Sequence, residues 1–486
     1  MTVMPSLRRL VLIVVSLASC ACTLGAAQPE APEIAPAEVA QRWAPALVEA
    51  VPHIRQRPDF CGEACVAMAM QGLGHDVDQD MVFAASGVDP ALGRGVWTPE
   101  LKRAVEHLGF DPGPVWERLD HEPTQEDLDR SWTAMHTDLV RGVPSIVCMH
   151  YAEGPGSSEH FRLVLGYDPV TDELLYHEPA EDNGAWQRMK RPKFQQLWPL
   201  RGSEDWTLIR LRLDPKDLRP PIRAEQHSAG DFAQHVRALG SVMPDGFTVV
   251  VEPPFVVAGD EQAAVVKGRA SKTVRTYARA LEQDFFERQP GSIFTVWLFQ
   301  DANSYYHHTK ELWGEEPDTP YGYASETHKA LVMNIATGGG TLVHEMVHPY
   351  VHADFPDCPQ WLNEGLASLF EHVSMVDGHI TGHTNWRLSG LQKAIEHDMV
   401  PSFEWLMERS FDQFYREDPG TNYAQSRYLC QYLQEKGVLR EYYRRVKENQ
   451  RRDPTGWKTL VELLNIDDEA VFMAEWQAWV MSLEKP

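Results

Sequence analysis

Cysteine is scarce in this chain, with seven in 486 residues. So thin a set builds no disulfide framework, even in an oxidising compartment. Positive charge is also in short supply. Lys plus Arg number 45 against 70 Asp plus Glu, a formal net charge of −25. That balance leaves no basic stripe with interleaved aromatics, so nucleic acid is excluded as a partner. Beyond the N-terminus no apolar run approaches the roughly 20 residues of a spanning helix. There is no internal repeat and no long low-complexity tract. What remains is 43% hydrophobic and 10% aromatic, with 15 Trp. A long disordered chain is thereby ruled out, and the length suggests two or three domains.

The front end reads as an export signal. Arg8 and Arg9 precede a short uncharged apolar stretch, Leu10 to Leu17, which ends in Leu17-Ala18-Ser19-Cys20. This resembles the bacterial lipobox, which implies cleavage before Cys20 and lipidation of its thiol. The membrane would then be met through a lipid anchor alone, at the cell envelope. Ordinary secretion, with cleavage after Gly25-Ala26-Ala27, is the alternative. The signal occupies 1–20, and an Ala-, Pro- and Glu-rich tether fills 21–42. A second shift in composition, rich in Pro and charge, marks 214–241 as a linker between domains at 43–213 and 242–486.

In the first domain Pro58-Asp59 suits a turn, and the Ala/Val/Met run after Cys61 reads as a buried helix closed by Gly72 and Gly74. Cys61 then stands at a helix N-terminus, where the dipole and free N–H groups favour thiolate. Phe161 to Tyr167 and Glu173 to His177 read as a hairpin around Asp168-Pro169-Val170-Thr171. Its geometry sets His160 nearly opposite Glu178, the pairing a thiol nucleophile's base requires. The pattern Gln-x4-Cys-Gly, His-Phe, Gly-Tyr-Asp and acid-Pro resembles the papain-like cysteine peptidases that trim bacteriocin leader peptides. The resemblance covers Trp43 to Leu213. It implies Cys61 as nucleophile, His160 as general base and Gln56 as oxyanion donor. Glu178-Pro179 stands where the family has Asp-Pro. An intact triad and a degenerate, peptide-binding fold both remain open.

The second domain carries His344-Glu345-Met346-Val347-His348. Residues four apart share a helix face, so both imidazoles reach one Zn²⁺ with Glu345 near its water. Trp361 to Ser368 reads as a second helix, and its Glu364 supplies a third ligand. The set leaves a fourth position for water, whereas a purely structural zinc site would want a fourth protein ligand. HExxH followed by Asn363-Glu364-Gly365-Leu366-Ala367 resembles the gluzincin metallopeptidases, from Phe247 to the C-terminus. The resemblance implies an edge strand at Ala330 to Ala336 that grips substrate backbone, though an ordinary sheet strand reads equally well. It also suggests Tyr423 as an oxyanion stabiliser, against a packing role. Pro349 is expected to loosen or end the His344 helix. His352 is a rival ligand with poorer context. The tail from Leu429 to Leu483 reads as amphipathic helix, with Trp457, Trp476 and Trp479 in the core. The fold expected is α+β: a papain-like domain followed by a zincin-like domain with a helical C-terminal part. Its partners are peptides or proteins as substrates, and its cofactor is Zn²⁺.

Overall fold

The computed structural model describes residues 42–154, 156–203, 205–224 and 226–486. The export signal, Cys20 and the tether up to residue 41 lie outside the described residues. Among the described residues no helix is long and apolar enough to cross a membrane.

The first half is built on an eight-stranded antiparallel sheet. Its main order is Trp116–Leu119, Trp206–Arg212, Ser145–His150, Glu159–Asp168, Glu173–His177 and Gln187–Lys190. Side chains alternate as the pleat demands: Ile146 and Cys148 pack to one side, Val147 and Met149 to the other. On strand Glu159–Asp168 the first side takes Phe161, Leu163 and Leu165, and the second takes Val164 and Tyr167. The parity changes at a bulge between Val164 and Gly166. Helices Cys61–Gly72, Gln79–Ser86 and Thr98–His107 cover the first face; Gln125–Val140 and Arg191–Leu197 cover the second. The Cys61 helix keeps every residue from Gly62 to Met70 buried, in keeping with a sequence that is apolar on every side except at Glu63. Helix Thr98–His107 begins after Trp97, whose N–H is bonded to Glu100 Oε2 at 2.8 Å.

The second half holds a five-stranded sheet ordered Thr248–Glu252, Phe255–Gly259, Phe294–Phe299, Ala330–Asn334 and Gly322–Ser325. The two inner junctions are parallel and the outer two antiparallel. One face packs Val257, Val296 and Leu331 into the main core; the other packs Trp297, Phe299 and Val332 beneath helix Ala302–Trp313. Strand Ala330–Asn334 is therefore internal. The edge belongs to Gly322–Ser325, because that segment folds back antiparallel on the outer side. The tail is four helices, Pro419–Glu435, Leu439–Asn449, Trp457–Leu464 and Glu469–Ser482. Trp476 is fully buried, while Trp457 and Trp479 pack against the core only in part.

The stretch 214–241 contains helix Ala229–Leu239, started by a Ser228–Asp231 capping box. Phe232 and Val236 pack with Val256 and Ile293 of the second half, and Ala233 enters the core of the first. His235 Nε2 lies 2.8 Å from Thr295 Oγ1. On its other side Gln234 donates to the Pro58 carbonyl at 2.8 Å and Arg237 to Asp59 at 2.7 Å. The helix is wedged between both halves.

Candidate functional site

Cys61 opens its helix over the Phe161 face of the sheet, with its thiol against the Phe161 backbone N–H. His160 projects from the opposite pleat. Its Nε2 meets Glu178 Oε1 at 2.5 Å, and both side chains are buried. Continuing the hairpin register from Leu163↔His177 sets Glu178 across from Arg162, two residues from His160. The near-opposition expected of His160 and Glu178 is thus a diagonal. It still closes, because Glu has the reach and His160 shares a face with Arg162. Arg162, also buried, donates through Nε to Glu178 Oε2 at 2.6 Å and through Nη2 to the Tyr151 carbonyl at 2.9 Å. Burial pushes the Glu178 carboxyl up, but His160 and Arg162 outweigh it and hold the group below the ordinary range.

The Cys61 thiol does not follow the helix-dipole expectation. Burial pushes it up to about 12, with the charges of Glu63 and Asp59 adding to the rise. The N–H groups of Phe161 and Gly62 pull the other way and lose. Among the described residues no hydrogen bond joins Cys61 to His160. Gln56 lies beside the acid-Pro pair, its N–H on the Pro179 carbonyl at 2.9 Å and its Oε1 buried without a partner. His177 is buried, with Nε2 on the Val51 carbonyl at 2.9 Å.

The second constellation sits on helices Gly340–Asp354 and Gln360–Leu369. The first runs on through Pro349, contrary to the expected break. Ligand atoms of His344, Glu345 and His348 lie within 4.8 Å of one another. Glu364 reaches in from the second helix: Oε2 is 3.3 Å from His344 Nε2, and Oε1 is 3.9 Å from His348 Nε2. Each imidazole has a polar group behind it, and of the two only His348 makes a hydrogen bond there. His348 Nδ1 is 3.0 Å from Asn363 Oδ1, and His344 Nδ1 is 3.4 Å from Glu371 Oε1. Glu371 is fixed in turn by Arg387 at 2.8 Å and Asn385 at 2.7 Å. Tyr415 donates to Glu364 Oε1, and Gln360 donates to the Tyr415 hydroxyl at 2.6 Å. Glu364 is held down at about 2, since the two histidines and Tyr415 outweigh the upward push of burial. Burial raises Glu345, although the Ala324 N–H on its carboxylate opposes the rise.

This donor set fits a metal ion. Glu364 Oε2 is buried with no hydrogen-bond partner, although His344 Nε2 stands 3.3 Å away. Two ligand atoms bound at roughly 2.0–2.1 Å in a tetrahedron are spaced by about 3.3 Å. Two imidazoles and a carboxylate are zinc-type donors. His352 takes no part; it is exposed, 3.2 Å from Glu326. The group opens on a cleft of about 680 Å³ lined by Tyr321, Gly322, His344, Glu345, Arg387 and Tyr423, among others. Tyr423 lies beneath the Arg387 guanidinium, 4.8 Å from its ring centre.

Residues 48–205 match the Peptidase_C39 like family. They form a C39-like peptidase domain, which takes in Cys61, His160 and Glu178. No curated protein matches the chain. Among solved structures, the peptidase domain of Streptococcus ComA, a bifunctional ABC transporter of a quorum-sensing pathway, is similar at 16% identity. It has a TM-score of 0.22 and is matched over 33% of this chain and 96% of its own. A structure of EndoMS in apo form aligns at 12% identity and a TM-score of 0.10, over 42% of this chain and 100% of its own. Scores this low carry no argument, so the assignment stands on the family match.

Several residues of both sites went unread in the sequence. Arg162 had a signal, since it lies two residues from His160 on a strand and so shares its face. Asn363 precedes Glu364 within the quoted motif. Glu371, Arg387 and Tyr415 lie at helix ends and loops that only the packing of the helices brings back to His344 and Glu364, and no spacing announces them.

Proposed function

We propose that this chain is an exported, lipid-anchored, zinc-dependent peptidase whose C39-like domain handles the same class of substrate. One observation carries the reading: His344, His348 and Glu364 converge beside a cleft, with Asn363 hydrogen-bonded to His348, Tyr415 to Glu364, and Glu371 3.4 Å behind His344. These three would hold the ion, which when bound acidifies water and polarises a carbonyl. Glu345 takes the proton of the attacking water and passes it to the leaving amine. The Gly322–Ser325 edge, beside Glu345 through Ala324, offers backbone groups to an extended peptide. Tyr423, on the cleft wall, suits the developing oxyanion. Cys20 is the proposed anchor. The test is peptide hydrolysis by wild type, Glu345→Gln and Cys61→Ala. Activity lost in Glu345→Gln and in chelator supports the reading; full activity in Glu345→Gln overturns it.

A second reading concerns the C39-like half, as a module that binds peptide without cutting. It is favoured by the thiol pushed up to about 12 and by the absence, among the described residues, of a Cys61–His160 hydrogen bond. Catalytic hydrogen bonds often tighten only when substrate binds, so both readings stand on the same geometry. Unchanged hydrolysis by Cys61→Ala would select the binding module.

A further inference from the structure

We propose that the outer face of helix Ala302–Trp313 is a second metal site, in which His307, His308 and Glu311 hold a divalent transition ion such as Zn²⁺ or Cu²⁺. The three residues place their ligand atoms within 4.8 Å of one another. His308 Nδ1 is 3.0 Å from Glu311 Oε2, and His307 Nε2 is 4.0 Å from the same oxygen. Helical spacing explains this: Glu311 lies three residues beyond one imidazole and four beyond the other, so it serves both.

One donor is already immobilised. The His308 ring stacks on Phe299 at 5.9 Å and meets Phe247 edge-on at 5.2 Å. His307 and Glu311 are exposed, 73% and 53%, so ordinary rotamer changes bring them onto an ion seated at His308. The competing cation of that turn, Lys310, is drawn away to Glu316 at 2.8 Å. Two imidazoles with one carboxylate are donors for zinc or copper, whereas Ca²⁺ and Mg²⁺ require an oxygen shell. Water would complete the coordination, since the face is open. The same helix reaches the cleft wall: Tyr305 donates to the carbonyl of Thr319, which lines the cleft at His344.

The site is separable from the cleft by substitution. The full chain carrying His344→Ala and His348→Ala, and the same chain with His307→Ala and Glu311→Gln added, are titrated with ZnCl₂ and CuCl₂ by calorimetry. The first should bind one ion at micromolar concentration, and the second should bind it roughly tenfold or more weakly. Bound Cu²⁺ in the first chain should show nitrogen hyperfine splitting from two imidazoles. Should the cleft substitutions unfold the chain, wild type against His307→Ala/Glu311→Gln gives the same answer as two zinc ions per chain against one. Identical isotherms with and without His307 and Glu311, or binding of Ca²⁺ equal to that of Zn²⁺, overturn the proposal.

Discussion

Arg162 Nε lies 2.6 Å from Glu178 Oε2, with both side chains sealed from water. Removing one partner of such a pair leaves the other as a buried, unmatched charge. Glu178→Ala should therefore cost about 3–5 kcal/mol of stability. Glu178→Asp, too short to span both His160 and Arg162, should fall between. Urea unfolding of the two variants measures this, and equal midpoints for Glu178→Ala and wild type would refute it.

Cys61 alkylation should report a protonated thiol. With the group pushed up to about 12, reaction with iodoacetamide at pH 7.5 should be slow and should still be rising at pH 9.5. Above about pH 8, where Glu63 carries its charge, Glu63→Gln removes a like charge and should speed it several-fold. Mass spectrometry of the Cys61 peptide follows the rate. A plateau below pH 8 would mean the thiolate is already formed.

Glu63 itself should make stability depend on pH. It is fully buried, with Oε1 on the Val96 N–H at 2.9 Å and Oε2 unpartnered. Burial, first among the causes, pushes it from 4.5 up to about 8. An acid raised in this way favours the folded state while protonated. Its contribution is complete below about pH 4.5 and is lost as pH climbs through 8, by about 1.4 kcal/mol for each unit between. Glu63→Gln, neutral throughout, should melt higher than wild type at pH 8.5 and alike at pH 4.5. A parallel loss in both proteins between those values would point to another group.

Purified protein should retain one tightly held zinc ion in the cleft. His344→Ala or Glu364→Ala should lose it, while Glu345→Gln keeps the ion and loses at least about a hundredfold in turnover. Glu371→Ala should weaken retention by roughly 10- to 100-fold through the freed His344 ring. Elemental analysis after dialysis decides. Full zinc in the Glu364→Ala protein would remove Glu364 from the ligand set.

What the sequence made readable was whatever lies close along the chain or repeats with a fixed period. The Cys61 helix, the hairpin strand Glu173–His177 and the helix bearing Glu364 all fall where pattern and turn residues set them. The bulge after Val164 has no such signature, and it moves Glu178 from opposite Leu163 to opposite Arg162, on the face that also carries His160. The edge of the second sheet was misplaced for a related reason: Gly322–Ser325 is short and only half-buried, so its alternation is faint. Pro349 was overrated as a breaker, because helix Gly340–Asp354 is buried along most of its length and packing overrides propensity. The thiol of Cys61 was judged from its place on the helix alone, and how deeply it would be covered was not visible.

The wedged helix Ala229–Leu239 has a consequence for how these two halves can be inherited. Its Phe232 and Val236 belong to the second half and its Ala233 to the first, while Gln234 and Arg237 grip the residues just ahead of Cys61. Neither half could be swapped into another gene by a cut within 214–241 without baring one apolar side of that helix or stripping a support from the Cys61 turn. Recombination would have to carry the pair whole, and substitutions on the helix would have to satisfy two neighbours at once. Its residues should thus drift more slowly than their place between two domains would suggest.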